Sequence, residues 1–154
     1  MALHPARAVA SVLLIVGSLI VGVTALAIVM TKSLVDAGMA IRPADALLLG
    51  DLITVLPFIV VFAIVGFVAA GALLIGKPWS DDLAFGTAIA AVAVGAIGLI
   101  LLSLGRDPFA STASARSTDD GIGIIGAFTA LYLFVIVAVA VARLPRHSST
   151  GVMA

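Results

Sequence analysis

The residues Gly121-Ile122-Gly123-Ile124-Ile125-Gly126 match the G-x-G-x-x-G spacing of a dinucleotide-binding turn. That turn needs a strand before it and an acidic residue about 20 positions after it. Here a polar stretch precedes the motif, an apolar run contains it, and no acid follows it. The glycines therefore read as a place where two helices come close. The histidines are His4 and His147, both in terminal segments, so neither paired-histidine haem ligation within an apolar span nor an oriented Ser-His-Asp triad is expected. Asp51 differs from the other acids because it is embedded in apolar sequence, between Leu47-Leu48-Leu49 and Leu52-Ile53. An acid inside a membrane span is by default a candidate for proton or ion handling. Its depth decides the matter: measured from Phe62 it lies ~16 Å along a helix, at the edge of a ~30 Å hydrocarbon layer. At that edge a carboxylate costs little, and an interfacial anchor or a partner for Arg42 is the simpler reading.

These residues sit in a chain dominated by long apolar runs. Of its 154 residues 63% are hydrophobic and 10% charged, and the mean hydropathy is +1.34; a soluble domain carries about 25% charged residues. The runs are 8–31, 52–75 with an extension back to Pro43, 83–104 and 121–142, separated by shorter polar segments, of which 105–120 is read as a loop. A 24-residue helix rises ~36 Å, enough to cross the layer. The fold class expected is all-α: one integral-membrane domain of four transmembrane helices in a bundle, with both termini on the same side. Ala25-Leu26-Ala27 resembles a signal-peptide cleavage site, but the apolar run continues through Ile28-Val29-Met30 and exceeds an ordinary signal core. Pro43 suits a first helical position, Pro57 should bend the second span, and Gly76-Lys77-Pro78 should stop it. Ser80-Asp81-Asp82 can cap the third span, and Trp79 belongs at headgroup level.

Cysteine is absent, which removes disulfides and thiolate-bound metals, and the formal net charge of zero gives no attraction for nucleic acid. Basic residues tie at four on each side of the membrane, with Arg7, Lys77, Arg143 and Arg146 beside the termini. The acids fall mainly on the opposite side, and the termini are placed in the cytoplasm, in a cell inner (plasma) membrane.

Small residues offer the helix-packing or interface positions. They are Ser18 and Gly22 on the first span, Gly66 and Ala70 on the second, and Gly86, Ala91, Gly95 and Gly98 on the third, with Gly86, Ala90 and Gly98 assigned to one face. In lipid, such positions let helices approach closely and gain dispersion contacts. Tyr132 falls in mid-span and needs a partner for its hydroxyl, either Thr129 or a group on a neighbouring helix.

In length, four spans, Ala/Gly/Val-rich composition and lack of redox ligands, the chain resembles the small helical accessory subunits of actinobacterial respiratory supercomplexes, in which cytochrome bc and cytochrome oxidase are joined. The resemblance implies a non-catalytic subunit, without cofactor, metal or small-molecule substrate, whose partners are larger membrane subunits and lipids. The alternatives are an accessory subunit of a lipid-transport permease and a small channel or transporter built by self-association. Thr54, Thr87, Ser103 and Thr129 are the hydroxyls such a channel would have to use, and they are scattered. An enzyme is not expected.

Overall fold

The computed structural model describes residues 5–40, 43–104 and 112–144; at 43–48, 51, 101, 102 and 112–121 it describes the backbone alone. The described residues form four helices in chain order: α1 (Pro5–Asp36), α2 (Pro43–Ile75), α3 (Ser80–Leu104) and α4 (Thr112–Arg143). All four contain a stretch long and apolar enough to cross a membrane. The protein is a multi-pass membrane protein built as an all-helical bundle.

The helix ends follow local chemistry. Pro5 and Pro43 open α1 and α2, where the missing N–H is not needed and the fixed φ is already helical. Gly38 and Gly76 close them in the left-handed region, at φ 97° and 75°. Around each glycine the chain turns back on itself: Met39 N–H donates to the Leu34 carbonyl at 3.0 Å and Lys77 N–H to the Ala72 carbonyl at 3.1 Å. This is the six-to-one bond of a Schellman cap. A residue with a side chain at either glycine would be strained.

Two boundaries differ from the sequence reading. Helix α4 begins at Thr112, so 112–120 is helical and only 105–111 of the expected loop falls outside the described residues. Nothing in Thr112–Asp120 breaks a helix: the punctuating Gly105 and Pro108 lie upstream, and Ala and Arg favour continuation. Helix α1 likewise runs from Pro5, through Ala25-Leu26-Ala27, to Asp36. Its 32 residues rise ~48 Å, well beyond the ~30 Å of hydrocarbon. The extension of the second span back to Pro43 is present, and α2 continues through Pro57 as one helix.

Neighbouring helices in the chain run in opposite directions. The α1–α2 and α3–α4 hairpins pack most extensively, α1 lies against α4, and of the helices adjacent in the chain α2 and α3 pack least. The core is formed by Ala10, Leu14, Ala69, Ala70, Leu73, Ala84, Ala88, Ala91, Tyr132, Val135 and Val139, and alanine is its commonest residue. Lipid is as apolar as leucine, so burial gives little drive here, and contact distance matters more than side-chain bulk.

Candidate functional site

Spacing on α1 places Ser11, Ser18 and Ala25 seven residues apart, and all three are buried. A seven-residue repeat of small side chains lets a second helix follow the first closely over two turns at a time. Ser11 Oγ donates across this seam to the Ala70 carbonyl on α2, at 2.9 Å. One repeat further on, Ser18 faces Gly66 so closely that a Cβ built on Gly66 would collide with Ser18 Oγ. Ser18, Gly66 and Ala70 thus meet in the α1–α2 seam. Gly22 does not, since nothing lies within 4 Å of where its Cβ would be.

The α3–α4 seam uses Ala88, Ala91 and Gly95. A Cβ on Gly95 would collide with Thr129 Oγ1 and stand 3.2 Å from Thr129 Cβ, and one on Gly98 would touch Ile125 at 3.5 Å. Thr129 Oγ1 donates to the Ile125 carbonyl of its own helix at 2.7 Å, so it is not the partner of Tyr132. The assignment of Gly86, Ala90 and Gly98 to one face is corrected. At 3.6 residues per turn Gly86 and Gly95 are about 180° apart around the helix. Gly86 and Ala90 are exposed on the side away from α4, while Gly98 is half-buried against it.

The third meeting point joins three helices, and no sequence pattern marks it. Tyr132 on α4 is fully buried and its ring lies over Gly17 of α1, where a Cβ would stand 2.6 Å from the hydroxyl oxygen and 2.8 Å from Cζ. The ring is flanked by Phe128 at 4.8 Å and by Phe62 of α2 at 6.0 Å, both tilted, as aromatic quadrupoles prefer. Its hydroxyl lies within reach of Ser18, yet neither hydroxyl completes a well-aligned hydrogen bond. The one available signal is Gly17 itself, one position from Ser18 and seven from Ala10 on the buried strip.

Charge gathers at the end of the bundle where α1 begins and α4 ends. Arg7 reaches Asp81 at 2.6 Å, and Arg143 reaches Asp82 at 2.6 Å while lying 5.1 Å over the Phe85 ring. The acids expected to cap α3 instead tie it to α1 and α4, and these contacts bring the beginning of α1 and the end of α4 to one side. The Ser80 hydroxyl donates to the Lys77 carbonyl at 2.7 Å, closing the turn before α3. Lys32 pairs with Asp36 one turn on, at the other end of α1.

Among the described side chains, every charged group lies at or near a helix end: Arg7, Lys32, Asp36, Lys77, Asp81, Asp82 and Arg143. Asp51 lies on the backbone of α2, eight residues past Pro43, and its side chain is outside the described ones, as is Arg42. The exposed hydroxyls of Thr24, Thr31, Ser33, Thr54 and Ser103 each donate to the carbonyl four residues back in their own helix. This arrangement can hold helices together and present apolar faces; the groove between α2 and α3 carries one acid, Asp82, and one hydroxyl, that of Thr87, which donates to the Leu83 carbonyl of its own helix at 2.7 Å. No protein-family model, curated protein or solved structure matches the chain.

Proposed function

We propose that the protein is a non-catalytic accessory subunit of a larger membrane assembly, with the respiratory electron-transfer supercomplex as the assembly its format favours. One observation carries the reading: the described polar groups are engaged mainly within the chain, and what faces outward along the spans is apolar. Val12, Leu19, Val23 and Leu26 of α1, Phe58 and Val61 of α2, Val94 and Ile97 of α3, and Phe134 and Val137 of α4 are all more than half exposed. Such a bundle needs no partner to close its own seams, and it offers broad faces to the flanks of other membrane proteins. Placement in a plasma membrane, with the termini in the cytoplasm, belongs to the same proposal.

A self-assembled channel is the rival of a different class. It would need outward hydroxyls free to line a pore, whereas the exposed ones donate to their own helices. Purification of the tagged chain from its native membrane in mild detergent, with mass spectrometry and a haem spectrum, separates the readings. Co-purified haem-bearing oxidase subunits are the expected result. A lipid-transport permease instead would move the subunit to that assembly, and recovery as a homo-oligomer alone would overturn the accessory role.

A further inference from the structure

The weak α2–α3 contact leaves a groove of about 690 Å³ that opens sideways towards the membrane. Phe58, Val61 and Phe62 form one wall, and Leu83, Gly86 and Ala90 the other. Gly86 contributes depth, with nothing within 4 Å of its would-be Cβ. The Thr87 hydroxyl, also on this wall, is occupied by the Leu83 carbonyl at 2.7 Å. On α3 the groove starts at Asp82, at the level of the ion pairs, and Ala90 is ~12 Å further along the helix, close to the depth of one leaflet.

The charged end has both signs. Asp82 exposes 82% of its side chain; Oδ1 accepts from Arg143, and no donor to Oδ2 is present among the described residues. Lys77 and Trp79 stand in the turn just before α3, and among the described residues neither side chain makes a hydrogen bond. Trp79 is half-exposed and lies one turn before Leu83, a groove residue whose N–H donates to the Trp79 carbonyl at 3.1 Å.

We infer that this groove holds one acyl chain of a phospholipid with an ethanolamine headgroup. The lipid ammonium donates to the free oxygen of Asp82, and its phosphate accepts from Lys77, the Trp79 indole and the outer N–H groups of Arg143. A transmembrane helix laid in the same groove would bring apolar surface over the Asp82 carboxylate and strip its water without replacing it. A zwitterionic headgroup supplies an anion for Lys77 and an ammonium for the Asp82 oxygen that Arg143 does not bond. The inference does not depend on the accessory-subunit reading, because it rests on the α2–α3 groove and the charges at its mouth alone.

Trp79 is the only tryptophan and, one turn before the groove residue Leu83, reports on the charged end of the groove. The full chain is reconstituted in phosphatidylcholine vesicles with rising fractions of phosphatidylethanolamine, phosphatidylcholine or phosphatidylglycerol brominated close to the ester, and Trp79 quenching is read. Half-maximal quenching is expected at about threefold lower mole fraction for the ethanolamine lipid than for the other two, the size of an exposed ion pair. Asp82→Asn should erase that preference, and Gly86→Leu, which fills open space, should reduce quenching by all three lipids while the gel-filtration profile is kept. Equal quenching by the three headgroups, an unchanged preference in Asp82→Asn, or protection of Trp79 that rises with protein density because a second copy covers the groove would each overturn the inference.

Discussion

Gly17→Ala tests the three-helix junction most directly. The added methyl carbon would stand 2.6, 2.8 and 2.9 Å from the hydroxyl oxygen, Cζ and Cε2 of Tyr132. Carbon atoms are comfortable from ~3.5 Å, so the ring must retreat by about 0.7 Å. Rotation about Cβ–Cγ leaves the hydroxyl oxygen and Cζ in place, since both lie on that axis, and rotation about Cα–Cβ swings the ring against the flanking Phe62 and Phe128. Overpacking a filled interior costs about 1–3 kcal/mol, and replacing glycine by alanine within a helix returns up to ~1 kcal/mol. The expected net effect is a destabilisation of about 1–2 kcal/mol. It is read by titrating the detergent-solubilised protein with sodium dodecyl sulfate while following Trp79 fluorescence, and by the temperature at which the monodisperse gel-filtration peak disappears. Tyr132→Phe in the same background removes the shortest contact and leaves the 2.8 and 2.9 Å ones, so only part of the stability should return. If Gly17→Ala is neutral or stabilising, Tyr132 is not seated on Gly17 and the three-helix junction is wrong.

Three other substitutions probe the remaining contacts. Gly66→Ala should destabilise, and Ser18→Ala should suppress that loss, because removing Oγ leaves only a 3.4 Å contact to Ser18 Cβ; a double-mutant cycle with no coupling would refute the α1–α2 register. Gly95→Leu should prevent recovery of a monodisperse protein, since Thr129 Oγ1 is backed by its own Cβ at 3.2 Å; normal recovery would mean that the α3–α4 seam is open. Arg7→Ala leaves Asp81, only 14% exposed, without its partner and should cost about 2 kcal/mol. Arg143→Ala acts on a pair whose acid is 82% exposed and should cost under ~1 kcal/mol, the stacking on Phe85 included; equal costs in the same unfolding assay would refute the difference in burial.

The spans are legible in the sequence because crossing a membrane demands one simple property, an uninterrupted apolar run, and because Pro43 and Gly76-Lys77-Pro78 are strong local punctuation. The start of α4 is not, since hydropathy reports where a helix lies in lipid and is silent about helix that continues outside it. Small-residue spacing locates the seams through Ser18, Gly66 and Gly95 but does not say which way each residue points. Gly86 and Gly95 look alike in the sequence and lie on opposite sides of α3. The junction at Gly17 is hidden for another reason: its partner, Tyr132, comes from the far end of the chain, and no local pattern records that meeting. Asp81 and Asp82 read as helix caps because a cap is a local device, whereas their partners Arg7 and Arg143 are remote.

The contacts that close the bundle also fix when it can be finished. Arg7 and Asp81 are 74 residues apart, and the seat of Tyr132 on α1 is filled from α4, the fourth helix in chain order. While the ribosome is still producing α3, the α1–α2 hairpin can already pair through Ser11, Ser18 and Gly66, but it holds a notch beside Gly17 and an arginine with no carboxylate. A chain that has not yet delivered α3 and α4 therefore differs from the assembled four-helix bundle by a vacant aromatic berth near mid-membrane and an unmatched cation at its rim. Arrival of α4 removes the first mark and docking of α3 the second, so the progress of bundle assembly is written into the surface that the membrane sees.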